Sequence, residues 1–194
     1  MINNIEIITV NYNTPDLINN LIKSVRDVEC NYQIRIIDGS DKEPFKSEII
    51  EVCKKYNNII LQQQGWNIHH GRGMDYAMNT SSYDWVLFID SDSQIKAGLL
   101  NVLSFNKPYM GFSMQVNDYG MNVDKGILYL HPQFLLVNVK HYRINKCKFI
   151  HHGAPALQIM KDTKNEDKNI INDKYLELFI RGGRGTINRF GLNL

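Results

Sequence analysis

The sequence predicts an α/β protein with a mostly parallel central sheet flanked by helices. Three observations lead there. Strand-like and helix-like segments alternate through the first half at about 25-residue intervals, the spacing of βαβ units. The run Trp85-Val86-Leu87-Phe88-Ile89 is wholly apolar, as a strand buried on both faces of a parallel sheet must be. The composition supplies the necessary core without the bias of a disordered chain: 43% of the 194 residues are apolar and 22% charged, with 13 Gly and 5 Pro.

Each element has its own warrant. Residues 5–12 are a β-branched run of strand length, and Pro15 opens residues 15–25 as a helix with apolar positions three and four apart. Thr14 stands where an N-cap belongs. A second strand follows at 33–38, a second helix at 44–56, a third strand at 58–62, a third helix at 73–80 and a fourth strand at 84–89. The second half is less regular. A helix is expected around 97–104, strands at 109–116, 127–130 and 134–139, a helix within 154–163, and a strand at 175–180 that leads into a glycine-rich tail. No linker or repeat divides the chain. It reads as one domain over 1–194, with a Rossmann-like half over about 1–95 and a less regular half over about 96–194.

Charge and cysteine usage narrow the class. With 22 Lys and Arg against 20 Asp and Glu, the net charge of +2 is too small for sequence-independent nucleic-acid binding. Cys30, Cys53 and Cys147 are widely spaced and fit reduced thiols better than a disulfide framework or a zinc knuckle. The first residues lack the basic and apolar regions of a signal peptide, and no apolar run is long enough to span a membrane. A cytoplasmic protein is therefore expected.

In such folds ligands sit beyond the carboxyl ends of the strands. There the sequence carries Asn11-Tyr12-Asn13, Asp38-Gly39-Ser40-Asp41, residues 65–72, and Asp90-Ser91-Asp92. An Asp-x-Asp at a strand end can hold a hard divalent cation against phosphate oxygens, although Asp and Ser also form plain turns. Asp38 can accept from a nucleobase or a ribose hydroxyl, or simply close an Asx-turn. The planar fork of Arg72 suits a phosphate or a base carbonyl, and the glycines beside it permit close backbone approach; a solvated arginine is the bland alternative. His69, His70, His151 and His152 are candidate phosphate or metal contacts. Trp66 and Tyr76 are candidate sugar platforms or cleft wall.

Taken together, residues 7–13, 36–41, 65–77 and 84–92 resemble the inverting family 2 glycosyltransferases of the GT-A fold, in order and near the usual spacing, over about half the chain. The resemblance implies a nucleotide-sugar donor, read as UDP-linked, and a glycan or glycoconjugate hydroxyl as acceptor, with about 1–95 as the nucleotide-binding half and about 96–194 as the acceptor-binding half. It implies that Thr9, Asn11, Tyr12, Asp38 and Arg72 line the base and ribose, that Asp90 faces the ribose or metal, and that Asp92 binds Mn²⁺ or Mg²⁺. The absence of a membrane span argues for transfer of one sugar rather than processive synthesis.

An acceptor hydroxyl needs a carboxylate to take its proton. Asp118, Asp124, Asp162, Glu166 and Asp173 are candidates, and Asp162 is the expected base, because residues 151–162 resemble an acceptor-side segment of some of these enzymes. Where the family tail has a histidine, this chain has Arg181; Arg181 and Arg184 are expected to grip the diphosphate as a glycine-rich loop closes. A nucleotidyltransferase or a dinucleotide dehydrogenase fits poorly, since no Gly-rich loop follows the first strand. A catalytically silent nucleotide-sugar or glycan-binding module of a larger protein or complex is the alternative.

Overall fold

The computed structural model describes residues 4–28, 31–150 and 153–180. In chain order the elements are β1 (Ile5–Asn11), α1 (Pro15–Asp27), β2 (Gln33–Asp38), α2 (Phe45–Lys54), β3 (Ile59–Gln63), α3 (His70–Thr80), β4 (Trp85–Ile89), β5 (Gln94–Ile95), β6 (Tyr109–Val116), β7 (Ile127–Asn138), α4 (Val139–Ile144), α5 (Leu157–Asp162), β8 (Lys168–Ile170) and β9 (Phe179–Ile180). Seven strands form one sheet in the order β3-β2-β1-β4-β7-β6-β8. β3, β2, β1 and β4 pair in parallel, β7 runs antiparallel to β4 and β6, and β8 is parallel to β6. Only β7 is therefore reversed. A small antiparallel sheet pairs β5 with β9.

Helices cover both faces, so successive residues of a central strand feed two separate cores. Ile7 and Leu87 pack with Ile18, Leu21 and Ile49 of α1 and α2, while Ile8 and Phe88 pack with Met74 and Ala77 of α3 and Leu157 of α5. This two-sided burial is why β4 contains no polar residue. One charged pair is also buried. Arg35 on β2 donates to Glu6 on β1 at 2.9 Å and to the Ala77 carbonyl of α3 at 3.0 Å, tying helix to sheet. Burial raises the pKa of Glu6 against the pull of Arg35.

Several local expectations change. Thr14 does not cap α1 with its side chain; its hydroxyl donates to Asn11 Oδ1 at 2.6 Å instead. α3 starts at His70, three residues earlier than the periodicity suggests. A Cβ on Gly73 would lie 2.7 Å from Val10, so this glycine serves close packing of α3 on β1 rather than backbone approach to a ligand. In the second half, the helix expected at 97–104 is a single 3-10 turn, Leu99–Val102, preceded by Gly98 at φ +90°, a conformation a right-handed helix cannot include. The segment 175–180 is mostly 3-10 helix (Asp173–Leu178), started by the Asn172 side chain accepting from the Lys174 amide. The two strands expected within 127–139 are one strand, β7, interrupted by an irregularity at its centre.

Candidate functional site

The carboxyl ends of β1, β2 and β4 lie side by side, and polar side chains converge there. Asp38 ends β2, fully buried. Its Oδ1 accepts from Asn11 Nδ2 at 2.9 Å, from the Ser40 amide at 3.1 Å and from Ser40 Oγ at 2.6 Å. Its Oδ2 accepts only a long contact from Gln63 Nε2, at 3.4 Å. The Asx-turn reading is thus met on one oxygen, and the same contacts brace the neighbouring Asn11-Tyr12-Asn13 turn. Ser40 Oγ accepts the Asn13 amide at 3.0 Å, and Asn13 adopts φ +55°. Tyr12 is half-buried, its hydroxyl 3.4 Å from Asp41 Oδ2; burial and that carboxylate raise its pKa.

Asp90-Ser91-Asp92 turns immediately beyond β4, with the Ser93 amide donating to the Asp90 carbonyl at 3.0 Å. His70, the first residue of α3, places Nε2 3.2 Å from Asp90 Oδ1. Burial opposes charge on both groups. Each partner outweighs it for the other, so Asp90 is held below the usual carboxylate value and His70 above the usual histidine value, with Asp92 adding to the pull on His70. Arg72 is exposed on the first turn of the same helix, and Trp66, 48% exposed, stands in the loop after β3.

Buried polar atoms without partners mark the same end of the sheet. Among the described residues four buried side-chain atoms lack a hydrogen bond, and three of them, Thr9 Oγ1, Asn13 Oδ1 and Ser93 Oγ, belong to the strand-end segments of β1 and β4. Orphaned polar groups are costly in a folded chain and are usually met by water or a ligand. The donor set suits a hard divalent ion, since Asp90 and Asp92 offer carboxylate oxygens. Among the described residues no three His, Cys, Asp or Glu side chains converge as a metal cage. Any ion there would complete its shell with substrate or water oxygens.

The structure does not bring Asp162 to this end. It closes α5, accepts from Gln158 Nε2 at 2.9 Å, and lines a groove of about 480 Å³ with His141, Asn145 and Cys147. These residues follow the end of β7, where the Val139 amide donates to the carbonyl of Asp84, at the opposite end of β4 from Asp90. At about 3.3 Å per residue, the five-residue β4 puts that groove roughly 17 Å from the Asp-Ser-Asp turn. The expectation of Asp162 as base is corrected accordingly. Glu166 and Asp167 sit in a 3-10 turn that leads to the same end. His151, His152, Arg181 and Arg184 lie outside the described residues.

One residue of this region escaped sequence reasoning. His131, midway along β7, comes beside Asp90, close enough for a charge on its ring to be felt there. The signal available was Pro132, because a proline inside a strand marks a bulge.

The comparisons with known proteins bear on this geometry. The description of Glycosyl transferase family 2 matches residues 6–166, which includes every one of the converging side chains. This chain belongs to that family. No curated protein matches it in sequence. Its fold is GT-A, shared with S. aureus TarS bound to UDP-GlcNAc (TM-score 0.62, 16% identity, 88% of this chain and 56% of that one). It is shared also with the mannosyltransferase PcManGT of Pyrobaculum calidifontis in complex with GDP-Man and Mn²⁺ (0.67, 9%, 88% and 55%), and with the galactosyltransferase LgtC in complex with donor and acceptor sugar analogues (0.60, 12%, 87% and 74%). At these identities the likeness is one of fold. This family 2 chain spans little more than half the length of TarS and PcManGT. Among its described residues no helix is long and apolar enough to cross a membrane.

Proposed function

We propose that this family 2 chain is a divalent-metal-dependent transferase domain that moves one sugar from a UDP-sugar to a hydroxyl of a glycan or glycoconjugate, with inversion. The observation that carries the reading is the position of Asp90-Ser91-Asp92: directly beyond a buried parallel strand, paired to His70, and beside the polar ends of β1 and β2. The nucleotide sugars bound by the structural relatives support it. Thr9, Asn11, Tyr12, Asp38 and Arg72 form the base and ribose side, and Asp90 and Asp92 would hold Mn²⁺ or Mg²⁺. When bound, that ion supplies neutralisation of the charge on the diphosphate.

In the transfer the anomeric C–O bond breaks and its electron pair stays on the departing diphosphate. The acceptor oxygen forms the new C–O bond from the opposite face and gives up its proton to a carboxylate. β6 runs parallel to β4, so its turn into β7 lies beyond the same end of the sheet as Asp90, and the candidate carboxylates on that side are Asp118 and Asp124 in the turn. Asp118 is already engaged by Lys161 at 2.8 Å, whereas Asp124 is exposed, so Asp124 is taken as the proton acceptor. The test is turnover of a panel of UDP-, GDP-, dTDP- and CMP-sugars with Mn²⁺ and a mixed glycan acceptor pool, with the product anomer assigned by NMR. Release of UDP with an inverted product bears the proposal out. A folded protein that binds a nucleotide sugar and turns none over is a binding module instead.

A further inference from the structure

The whole chain carries a net charge of only +2, yet residues 125–161 hold six Lys or Arg, four His and no Asp or Glu. The densest part of that run, residues 139–150, forms α4 and the strap that follows it. Local packing decides which of its side chains face out. α4 buries Val139 and Tyr142, so Lys140, Arg143 and Ile144, three and four residues apart, share its exposed face. Lys146 adopts φ +51° and turns the chain back, and the Cys147 amide donates to the Tyr142 carbonyl at 3.0 Å. Phe149 then stacks on Tyr142 with ring centroids 5.3 Å apart, while its amide donates to the Tyr142 hydroxyl at 3.1 Å. With Phe149 pinned inside, the residues on either side of it, Lys148 and Ile150, are left outside.

Among the described residues Lys140, Lys146 and Lys148 pair with no carboxylate. The Arg143 guanidinium donates to the carbonyls of Met78 and Ser81, which hold it in place and leave its charge uncancelled. Four positive charges thus accompany two exposed isoleucines, Ile144 at 66% and Ile150 at 52% exposure. A single exposed isoleucine is ordinary. Two of them among lysines fit a surface that is anionic outside and apolar just beneath, where basic side chains meet headgroups and apolar ones enter the acyl boundary. A free phosphate suits the place less. The groove behind the strap is lined by Lys146, Lys148 and Ile150 but also by Asp162 and Asp167, whose carboxylates oppose an anion that enters it. A nucleic-acid duplex would meet the lysines and give the isoleucines nothing to enter.

We propose that α4 and residues 145–150 form a docking surface for an anionic lipid bilayer, with Lys140, Arg143, Lys146 and Lys148 meeting the headgroups and Ile144 and Ile150 entering between them. The inference stands apart from the transferase reading. This surface lies at the end of β4 away from Asp90, so a bilayer seated on it leaves the Asp-Ser-Asp turn uncovered.

The experiment is co-sedimentation with vesicles of equal phosphatidylglycerol and phosphatidylcholine, and with vesicles of phosphatidylcholine alone. The parent should bind the first and not the second, and added salt should release it. At about fivefold in binding per basic residue near an anionic leaflet, Lys140→Gln/Lys146→Gln/Lys148→Gln should bind about 100-fold more weakly. Lys23→Gln/Lys42→Gln/Lys55→Gln removes the same charge from three exposed lysines around α1 and α2, and should leave binding within about twofold of the parent. Ile144→Ser/Ile150→Ser should weaken binding by about tenfold and keep its dependence on salt. All of these side chains are exposed, so each variant should share the parent's Tm. A parent that fails to bind the phosphatidylglycerol vesicles, or binds phosphatidylcholine equally well, overturns the proposal. So does an equal loss in the two triple variants, which would show net charge alone at work. Binding unchanged by loss of both isoleucines would point to a polyanion such as duplex DNA or to free phosphate, and would overturn it too. UDP binding, measured on the same preparations, should be the same in all variants, so this inference and the transferase reading fail separately.

Discussion

The two halves of the sheet reach the same site by different means. On the first side β3, β2, β1 and β4 run in parallel with unbroken register, and their ends are fixed by a buried network in which one Asp38 oxygen accepts three hydrogen bonds. On the second side a reversed strand with a four-against-one bulge, two six-residue helices and short 3-10 turns do the work. Regular ladders make the first side stiff and repeatable. The irregular side can change its contacts without disturbing them, which on the proposed reading suits the recognition of sugars and acceptors.

That contrast can be broken from either side. The largest effect is expected from Asp38→Ala, which strands the Asn11 and Ser40 donors in a buried site and should cost about 2–4 kcal/mol in urea unfolding, with Asp38→Asn recovering part because it keeps an acceptor. A loss below about 0.5 kcal/mol would show that the network does not hold the ends of β1 and β2 together. Gly111→Ala attacks the other side. Its Cβ meets the Phe134 carbonyl at 2.8 Å, and overpacking of about 1–3 kcal/mol should appear together with reduced transfer, measured by unfolding and turnover on one preparation.

A smaller effect joins the two halves of the Asp90 pair. His70 is held above its ordinary 6.5, so its stabilising contact is complete below 6.5 and is lost as pH rises through the raised value. Asp90 is held below 3.8, so its share is present above 3.8 and is lost as pH falls through the lowered value. The stability difference between the parent and His70→Gln should therefore be widest between 3.8 and 6.5, about 1 kcal/mol for this partly solvated pair, and should close as pH rises through the raised His70 value. A gap that widens with rising pH would contradict the pairing. The smallest effect is expected from Asp162→Asn, which lies at the far end of β4 and should leave kcat within about twofold of the parent; a loss near the 100-fold of a missing general base would restore Asp162 to the site.

The same division explains what could be read before folding. The apolar strand 85–89 and the spacing of 15–25 announce themselves because burial on two faces and on one helical stripe leave periodic traces, and Asp38, Asn11, Asp90 and Asp92 lie at the ends of those traces. The second half gives weaker signals. Gly98 cut a helix to one turn, and Pro132 joined two expected strands through a bulge. Asp162 was legible as an acid on a helix, but which end of the sheet it faces depends on where β7 delivers α4, and that is a tertiary fact. His131 was hidden for the same reason, since its nearness to Asp90 arises only from the pairing of β7 with β4.

The claim on which the rest depends is that Asp90 and Asp92 make the end of β4 a metal-assisted nucleotide diphosphate site. Calorimetric titration of the parent and of Asp92→Ala with UDP, with and without Mn²⁺, addresses it most directly. The account predicts UDP binding by the parent that strengthens with Mn²⁺, and at least about 100-fold weaker binding by an Asp92→Ala protein that unfolds at the same temperature, a difference of about 2.7 kcal/mol. Equal UDP affinity in parent and variant, with Mn²⁺ making no difference to either, would contradict it.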